Sequence, residues 1–337
     1  MPSWAPGRLR SHLPGRLSPP QKEDSLSGKA LVTGGAGFIG SHLVERLIDD
    51  DWEVLAVDDL SKGHLDSLAD ARRMGNVHFH QLDICSDEFR AAVRRFQPDV
   101  IHHLAAQSGV RPSVEDPLFD ARVNVLGTVN VLSAAAEAGV QRVAFASSGG
   151  AMFGEVPGKP ATEDFPALPD SPYGISKKIV EDYFRYFRDE SGVDYVILAL
   201  GNVYGPRQDP FGEAGVVAIF SRLMLDGKRP VINGDGEQAR DYVFIDDIVD
   251  AFARAGEIGG GVRLNIGTGT ATTVNELFAL IAGAAGYDGS PEHGPAKAGD
   301  LARSVIDATA AKSHLGWEPW TPLERGIAKT VESFRGA

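Results

Sequence analysis

Between Lys29 and Ser147 the sequence alternates short apolar runs with amphipathic stretches, and this rhythm restricts the possible folds more than any other feature. The runs KALVT, EVLAV (53–57), VHFHQL (77–82), DVIHHLA (99–105) and RVAFAS (142–147) read as strands. They are largely apolar throughout instead of at every second position, which marks strands covered on both faces. Helical periodicity lies between them over 38–50, where Ile39, Leu43, Leu47 and Ile48 share a face, near 87–96 and over 118–138. A helix over 172–191 and the strand DYVILAL (194–200) extend the series. Strand and helix in strict succession give parallel βαβ units with right-handed crossovers. The expected fold is α/β, a doubly wound parallel sheet.

Beyond Gly201 the rhythm breaks into Gly- and Pro-rich loops, isolated helices and one strand-like run, RLNIG. This predicts a main domain over 28–200 with a later return near 241–268, and a smaller, partly interleaved domain over 201–337. Residues 1–27 stand apart, rich in Pro, Ser and Arg, with no acidic residue before Glu23 and no apolar segment of signal-peptide type. They are expected to be a disordered extension, or to precede the true start. No apolar run approaches the roughly 20 residues needed to span a bilayer, so a soluble protein is expected. The single cysteine, Cys85, excludes an internal disulfide and fits a reducing, cytoplasmic setting. A net charge of −13 argues against non-specific nucleic-acid binding.

The segment LVTGGAGFIGSHL follows the first strand and opens the first helix, with Gly34, Gly37 and Gly40 spaced three apart. This is the form of a dinucleotide loop: a tight turn, close backbone approach to a pyrophosphate, and close helix–strand packing. The phosphate is expected at the helix N-terminus, beside Phe38 and Ile39. Asp58, about 20 residues on, is placed to accept hydrogen bonds from the adenosine ribose and to repel a 2′-phosphate, so NAD is expected and not NADP. Asp59 either shares this role or begins a turn. Asp83, next to Ile84, either reaches the adenine or caps the following helix. PYGISK places Tyr173 and Lys177 on one helical face, a chemical pair only if the nucleotide loop lies beside it.

TGGAGFIGSHL, YGISK and NVYGPRQ, in this order, resemble the extended short-chain dehydrogenase/reductase family. From Lys29 to Phe334 the chain is similar to its UDP-glucose 4-epimerase-like nucleotide-sugar 4-epimerases. The resemblance implies a Rossmann-type NAD-binding domain and a C-terminal nucleotide-sugar-binding domain. It implies reversible inversion at C4 of a UDP-hexose through a 4-keto intermediate, with Tyr173 removing the hydroxyl proton and NAD taking the hydride. Lys177, aided by the positive nicotinamide ring, is expected to lower the phenol pKa, and it is expected to hold the nicotinamide ribose. The Ser/Thr of the family pattern SSSATVYG falls on Gly149 in ASSGGAMFG, and Ser148 is expected to replace it; alternatively Ser147 and Ser148 only end a strand. The segment 103–117, with Leu104, Ala105 and Ala106, is implied beneath the nicotinamide. Asn124 lies near the cofactor, or is a cap or solvated residue.

For the substrate, the resemblance implies Arg111, Asn202, Arg207 and Val216, with Arg240 clamping the diphosphate. Ala199 stands where relatives have an arginine. In KAGDLARSV, Asp300 is expected at the uridine ribose, Lys297 replaces the usual arginine, and Arg303 compensates. Ser304 replaces a bulkier residue of some relatives and leaves room for an N-acetyl group. No metal is expected. Dehydratases and decarboxylases of the family carry acidic residues where this chain has GGA, which argues against both. UDP-glucuronate 4-epimerisation, or a catalytically inactive NAD-sensing protein, are the alternatives. A homodimer is expected through 118–138 and 172–191.

Overall fold

The computed structural model describes residues 27–211, 215–297 and 299–335. The expected disordered extension lies outside the described residues, Ser27 excepted. Seven strands form one wholly parallel sheet: β1 Gly28–Thr33, β2 Trp52–Asp58, β3 Val77–Gln81, β4 Val100–His103, β5 Arg142–Ser148, β6 Asp194–Leu200 and an edge strand, Val262–Ile266. The spatial order is edge strand, β6, β5, β4, β1, β2, β3, so the direction of winding reverses between β1 and β4. Ligands of open α/β sheets bind outside the carboxyl ends of the strands at such a reversal.

Successive residues of each strand feed opposite layers. Ala30, Val32, Val54 and Ala56 pack under the first helix, α1 (Phe38–Asp49), and the helix Ile245–Glu257. Leu31, Leu55, Val57, Ile101 and Phe145 pack under Asp87–Phe96, Gly127–Ala138 and Pro172–Ser191. Both faces are therefore covered, which is why the runs read as continuously apolar. One member of that run is polar and unsatisfied: His102 is fully buried, neither ring nitrogen has a partner, and its ring stands edge-on to Phe252 at 6.2 Å. Burial holds its pKa down at about 3.

Two features differ from the periodicity, and one strand falls where the main domain is expected to return. The run 118–138 is not one helix but Pro117–Ala121, a π-helical turn at Arg122–Leu126, and Gly127–Ala138. The segment 103–117 contains a short helix, Val110–Glu115. RLNIG belongs to the main sheet, paired with β6.

The remainder of the C-terminal part is built from short pieces. Val216–Leu225, Val274–Ala285 and Leu323–Arg335 pack together as three helices. Ala239–Arg240 pairs with Thr272–Thr273 on one side and Arg303–Ser304 on the other. Among the described residues no helix is long and apolar enough to cross a membrane.

Candidate active site

The glycine loop joins β1 to α1 at the carboxyl edge of the sheet, and its backbone leaves no room for side chains. Gly34 has φ +69°, and a Cβ there would lie 2.8 Å from the Ala105 nitrogen. At Gly40 a Cβ would stand 2.0 Å from the Gly34 carbonyl oxygen. Gly37 is the N-cap of α1, with no side-chain cap over the first N–H groups beside Phe38 and Ile39. Backbone donors in a loop stripped of Cβ atoms, ahead of a helix dipole, suit a pyrophosphate. At the end of β2 the buried Asp58 accepts from Leu60 N–H (2.8 Å) and Ala36 N–H (3.1 Å). Burial raises its pKa, and these bonds oppose the rise. The cradle and this carboxylate fit NAD.

Asp59 accepts from Ser61 N–H and Oγ at 2.8 and 2.6 Å, so it builds a turn. Asp83 is not a helix cap: Ser86 caps Asp87–Phe96, and Asp83 accepts from Cys85 N–H instead. Ile84 is buried beside Gly127, and its carbonyl accepts from Asn130 Nδ2.

Leu104 and Ala105, with Ala106 following, are held by a polar chain that periodicity did not reveal. Thr33 Oγ1 accepts from the Leu104 and Ala105 N–H groups at 3.1 and 3.2 Å. Thr128 Oγ1 donates to the Asn124 carbonyl at 2.6 Å, so it accepts from His103 Nε2–H at 3.0 Å. That assignment leaves His103 Nδ1 to accept from Thr33 Oγ1 at 2.8 Å. Burial first, and Lys177 second, hold the His103 pKa at about 3, so the ring is a neutral relay. Asn124 is neither cap nor solvated. It is buried and inserts from the π-helical turn, its Oδ1 accepting from Gln107 N–H and its Nδ2 contacting the Gln107 carbonyl and Asp120, all at 2.9 Å.

Tyr173 lies in the first turn of Pro172–Ser191, where its N–H donates to Ser113 Oγ at 3.1 Å. Its phenol faces Ser148, the last residue of β5, which favours the ionised phenol and whose Oγ accepts from Ala151 N–H. Ser148 ends the strand, as one expectation has it, and its hydroxyl stands on the Tyr173 side of the cleft. A Cβ at Gly149 would lie 3.1 Å from Ile306, so a larger residue there meets that side chain.

By itself Lys177 does not lower the phenol pKa. The Lys177 ammonium donates to the Ala146 carbonyl at 2.9 Å, 4.6 Å from the Phe145 ring centre and 5.8 Å from that of Tyr173. Burial pushes Tyr173 up to about 12, with Ser148 opposing and Asp120 adding. Burial brings Lys177 down to about 7, against Asp120. At both groups burial outweighs the neighbouring polar groups.

On the opposite wall, a Cβ at Gly150 would face Ser304 Oγ at 3.4 Å and Asn202 Oδ1 at 4.0 Å. Arg240 pairs with Asp300 and donates to the Leu301 carbonyl at 2.7 Å. Val216 starts the helix Val216–Leu225, and Lys297 is exposed. Three arginines turn elsewhere. Arg303 lies on the strand face opposite Ser304 and donates to the Val156 carbonyl, so it does not stand in for Lys297. Arg207, at φ +65°, binds Glu45 at 2.6 Å and Ser41 on α1. Arg111 is exposed and pairs with Glu115.

Residues 30–267 match the model of the NAD dependent epimerase/dehydratase family. The chain is 50% identical over 308 residues to a UDP-glucose 4-epimerase of Mycolicibacterium smegmatis, covering 91% of this chain and 98% of that one. A crystal structure of the Thermotoga maritima UDP-glucose 4-epimerase with UDP-glucose superposes with a TM-score of 0.88 at 45% identity, over 91% of this chain and 99% of the other. The Thermus thermophilus UDP-glucose 4-epimerase in complex with NAD gives 0.85 at 43% identity, over 92% and 99%. With the glycine cradle, the carboxylate of β2 and the Ser148–Tyr173–Lys177 cluster on one sheet edge, these likenesses place the chain in the NAD dependent epimerase/dehydratase family, on the extended short-chain dehydrogenase/reductase fold.

Proposed function

We propose that the chain catalyses the NAD-dependent, reversible inversion of C4 in a UDP-hexose, interconverting UDP-glucose and UDP-galactose through a 4-keto sugar. The observation that carries this reading is the phenol of Tyr173 beside Ser148 and a buried lysine, at the carboxyl edge that holds the glycine cradle. Gly34, Gly37, Gly40 and Asp58 hold the dinucleotide. When bound, NAD supplies the acceptor for the C4 hydride and a positive charge beside the phenol. Tyr173 takes the proton of the 4-hydroxyl and returns it to the 4-oxygen of the product, and Ser148 orients that oxygen. Left to the protein's own groups the phenol stays protonated, its pKa near 12. Added positive charge is what lets it act as a base near neutral pH.

Inversion demands that the hexose turn over while the nucleotide stays fixed. Arg240, paired with Asp300, suits a diphosphate, since a planar guanidinium meets two phosphate oxygens. Gly150, Ser304 and Asn202 leave the hexose a wall of small side chains, which supports acceptance of UDP-N-acetylhexosamines too. Turnover of UDP-galactose but none of UDP-N-acetylgalactosamine at high enzyme concentration would reject that extension.

The assembly is a homodimer in this reading. Leu118, Phe119, Leu126, Ile175, Ile179 and Tyr186, all on 117–126 and 172–191, are exposed apolar side chains that support it. The single cysteine favours a cytoplasmic setting. Replacing Tyr173 by Phe tests the central claim: conversion of UDP-galactose should fall by about 10²–10⁴-fold. Equal rates for Tyr173→Phe and wild type would reject the mechanism.

A further inference from the structure

Lys177 is 3% exposed, and no carboxylate is paired with its ammonium among the described residues. A buried, unpaired cation is expensive, and deprotonation is the usual escape. Nearby lies the opposite anomaly. Asp120 is 1% exposed, on Pro117–Ala121, and among the described residues no cation is paired with it. Its carboxylate is held by neutral groups, Gln107 Nε2 at 3.1 Å and Asn124 Nδ2 at 2.9 Å. Asn124 Nδ2 in turn lies 3.2 Å from Ser176 Oγ, one residue before Lys177.

We propose that Asp120 is a positioning residue that keeps Lys177 charged from a fixed distance, leaving the ammonium's remaining N–H groups free for oxygen ligands. A direct ion pair would occupy those donors, whereas an anion pinned by two neutral partners supplies its field without touching them. Both side chains are buried, so that field is weakly screened. The two groups act on each other in matching directions, Asp120 favouring the ammonium and Lys177 favouring the carboxylate. The titratable groups facing this pocket are Tyr173 and Lys177 from Pro172–Ser191, His103 from β4, and Asp120. His103 is neutral across the working range. Asp120 also raises the Tyr173 phenol, so its removal should move both titrations the same way.

The activity arm of the test rests on the epimerase reading; the spectroscopic arm does not. In the full chain labelled with ¹³C-lysine, the Lys177 ε-carbon resonance, assigned with Lys177→Arg, is titrated by NMR. In Asp120→Asn the midpoint should fall by about one pH unit, and Asp120→Glu should restore most of it. Asp120→Ser serves as a second neutral variant should the first not fold. The bell-shaped pH profile of kcat should move as a whole to lower pH in the neutral variants. Neutral variants titrating with wild type, or losing rate at an unmoved midpoint, overturn the proposal. If wild type converts no UDP-sugar, the epimerase reading fails while the lysine titration still decides the role of Asp120.

Discussion

The two walls of the cleft are built by different means. The dinucleotide side is made of backbone: glycines without room for a Cβ, and loop N–H groups tied through Thr33, His103 and Thr128 to a buried asparagine. The sugar-nucleotide side is made of side chains carried on two-residue strands, with the Arg240–Asp300 pair partly in solvent. A bound cofactor that never leaves its orientation suits the first construction. A hexose that must turn over suits the second. The contrast predicts that changes on the first wall act on binding and folding as all-or-none steric effects, while those on the second are graded.

The largest effect should come from Gly40→Ala. Its Cβ would enter the space of the Gly34 carbonyl at 2.0 Å, so backbone must move, and NAD affinity measured by calorimetry should drop by about 2–3 kcal/mol. Wild-type affinity would break the contrast at its strongest point.

Next in size is a pH effect under the same wall. The His102 pKa is about 3 when folded against an ordinary value of 6.5, so the unfolded chain binds the proton first as pH falls. Stability contributed by this neutral histidine is full above pH 6.5 and is lost progressively as pH falls from there towards 3. His102→Leu should remove that loss and gain about 2 kcal/mol at pH 5 relative to its effect at pH 8. His103 keeps the same sign, so a shallower slope persists. Urea unfolding at both pH values checks it; a difference independent of pH would contradict the account.

Smaller is Arg240→Lys, which replaces a planar fork by a point charge. KM for UDP-galactose should rise about tenfold at nearly unchanged kcat. A kcat loss of that size instead would show that this wall also positions the reacting carbon. The smallest effect is Gly149→Ser, where the new Cβ meets Ile306 at 3.1 Å and costs about 1 kcal/mol in thermal unfolding. Ile306→Val should relieve much of it in the double variant; strict additivity would mean the two side chains do not compete.

What could be read from the sequence divides along the same line. The sheet, α1 and the glycine loop were legible because covered strands, amphipathic helices and Cβ-free turns each impose a pattern on consecutive residues. Strands of two residues impose none, so whether Arg303 or Ser304 faces the cleft depends on a single alternation that no periodicity reports. Arg207 appeared available for substrate, yet a left-handed backbone turns it towards Glu45. The π-helical turn hid inside an unbroken helical pattern, and with it the inward turn of Asn124. His102 and His103 lay in a strand-like run where one histidine is relay and its neighbour is orphaned, a distinction set by which face of β4 each occupies.

The edge strand Val262–Ile266 has a further consequence for biosynthesis. A ribosome that has completed Leu200 has delivered every strand of the main sheet but that one, and the flank of β6 stays unzipped until the chain is some sixty residues longer. During that interval the nascent chain presents a bare row of amide and carbonyl groups, open to mispairing with another copy. The cofactor half therefore cannot mature as an autonomous first product; its completion waits on the part of the gene that encodes the sugar-facing half.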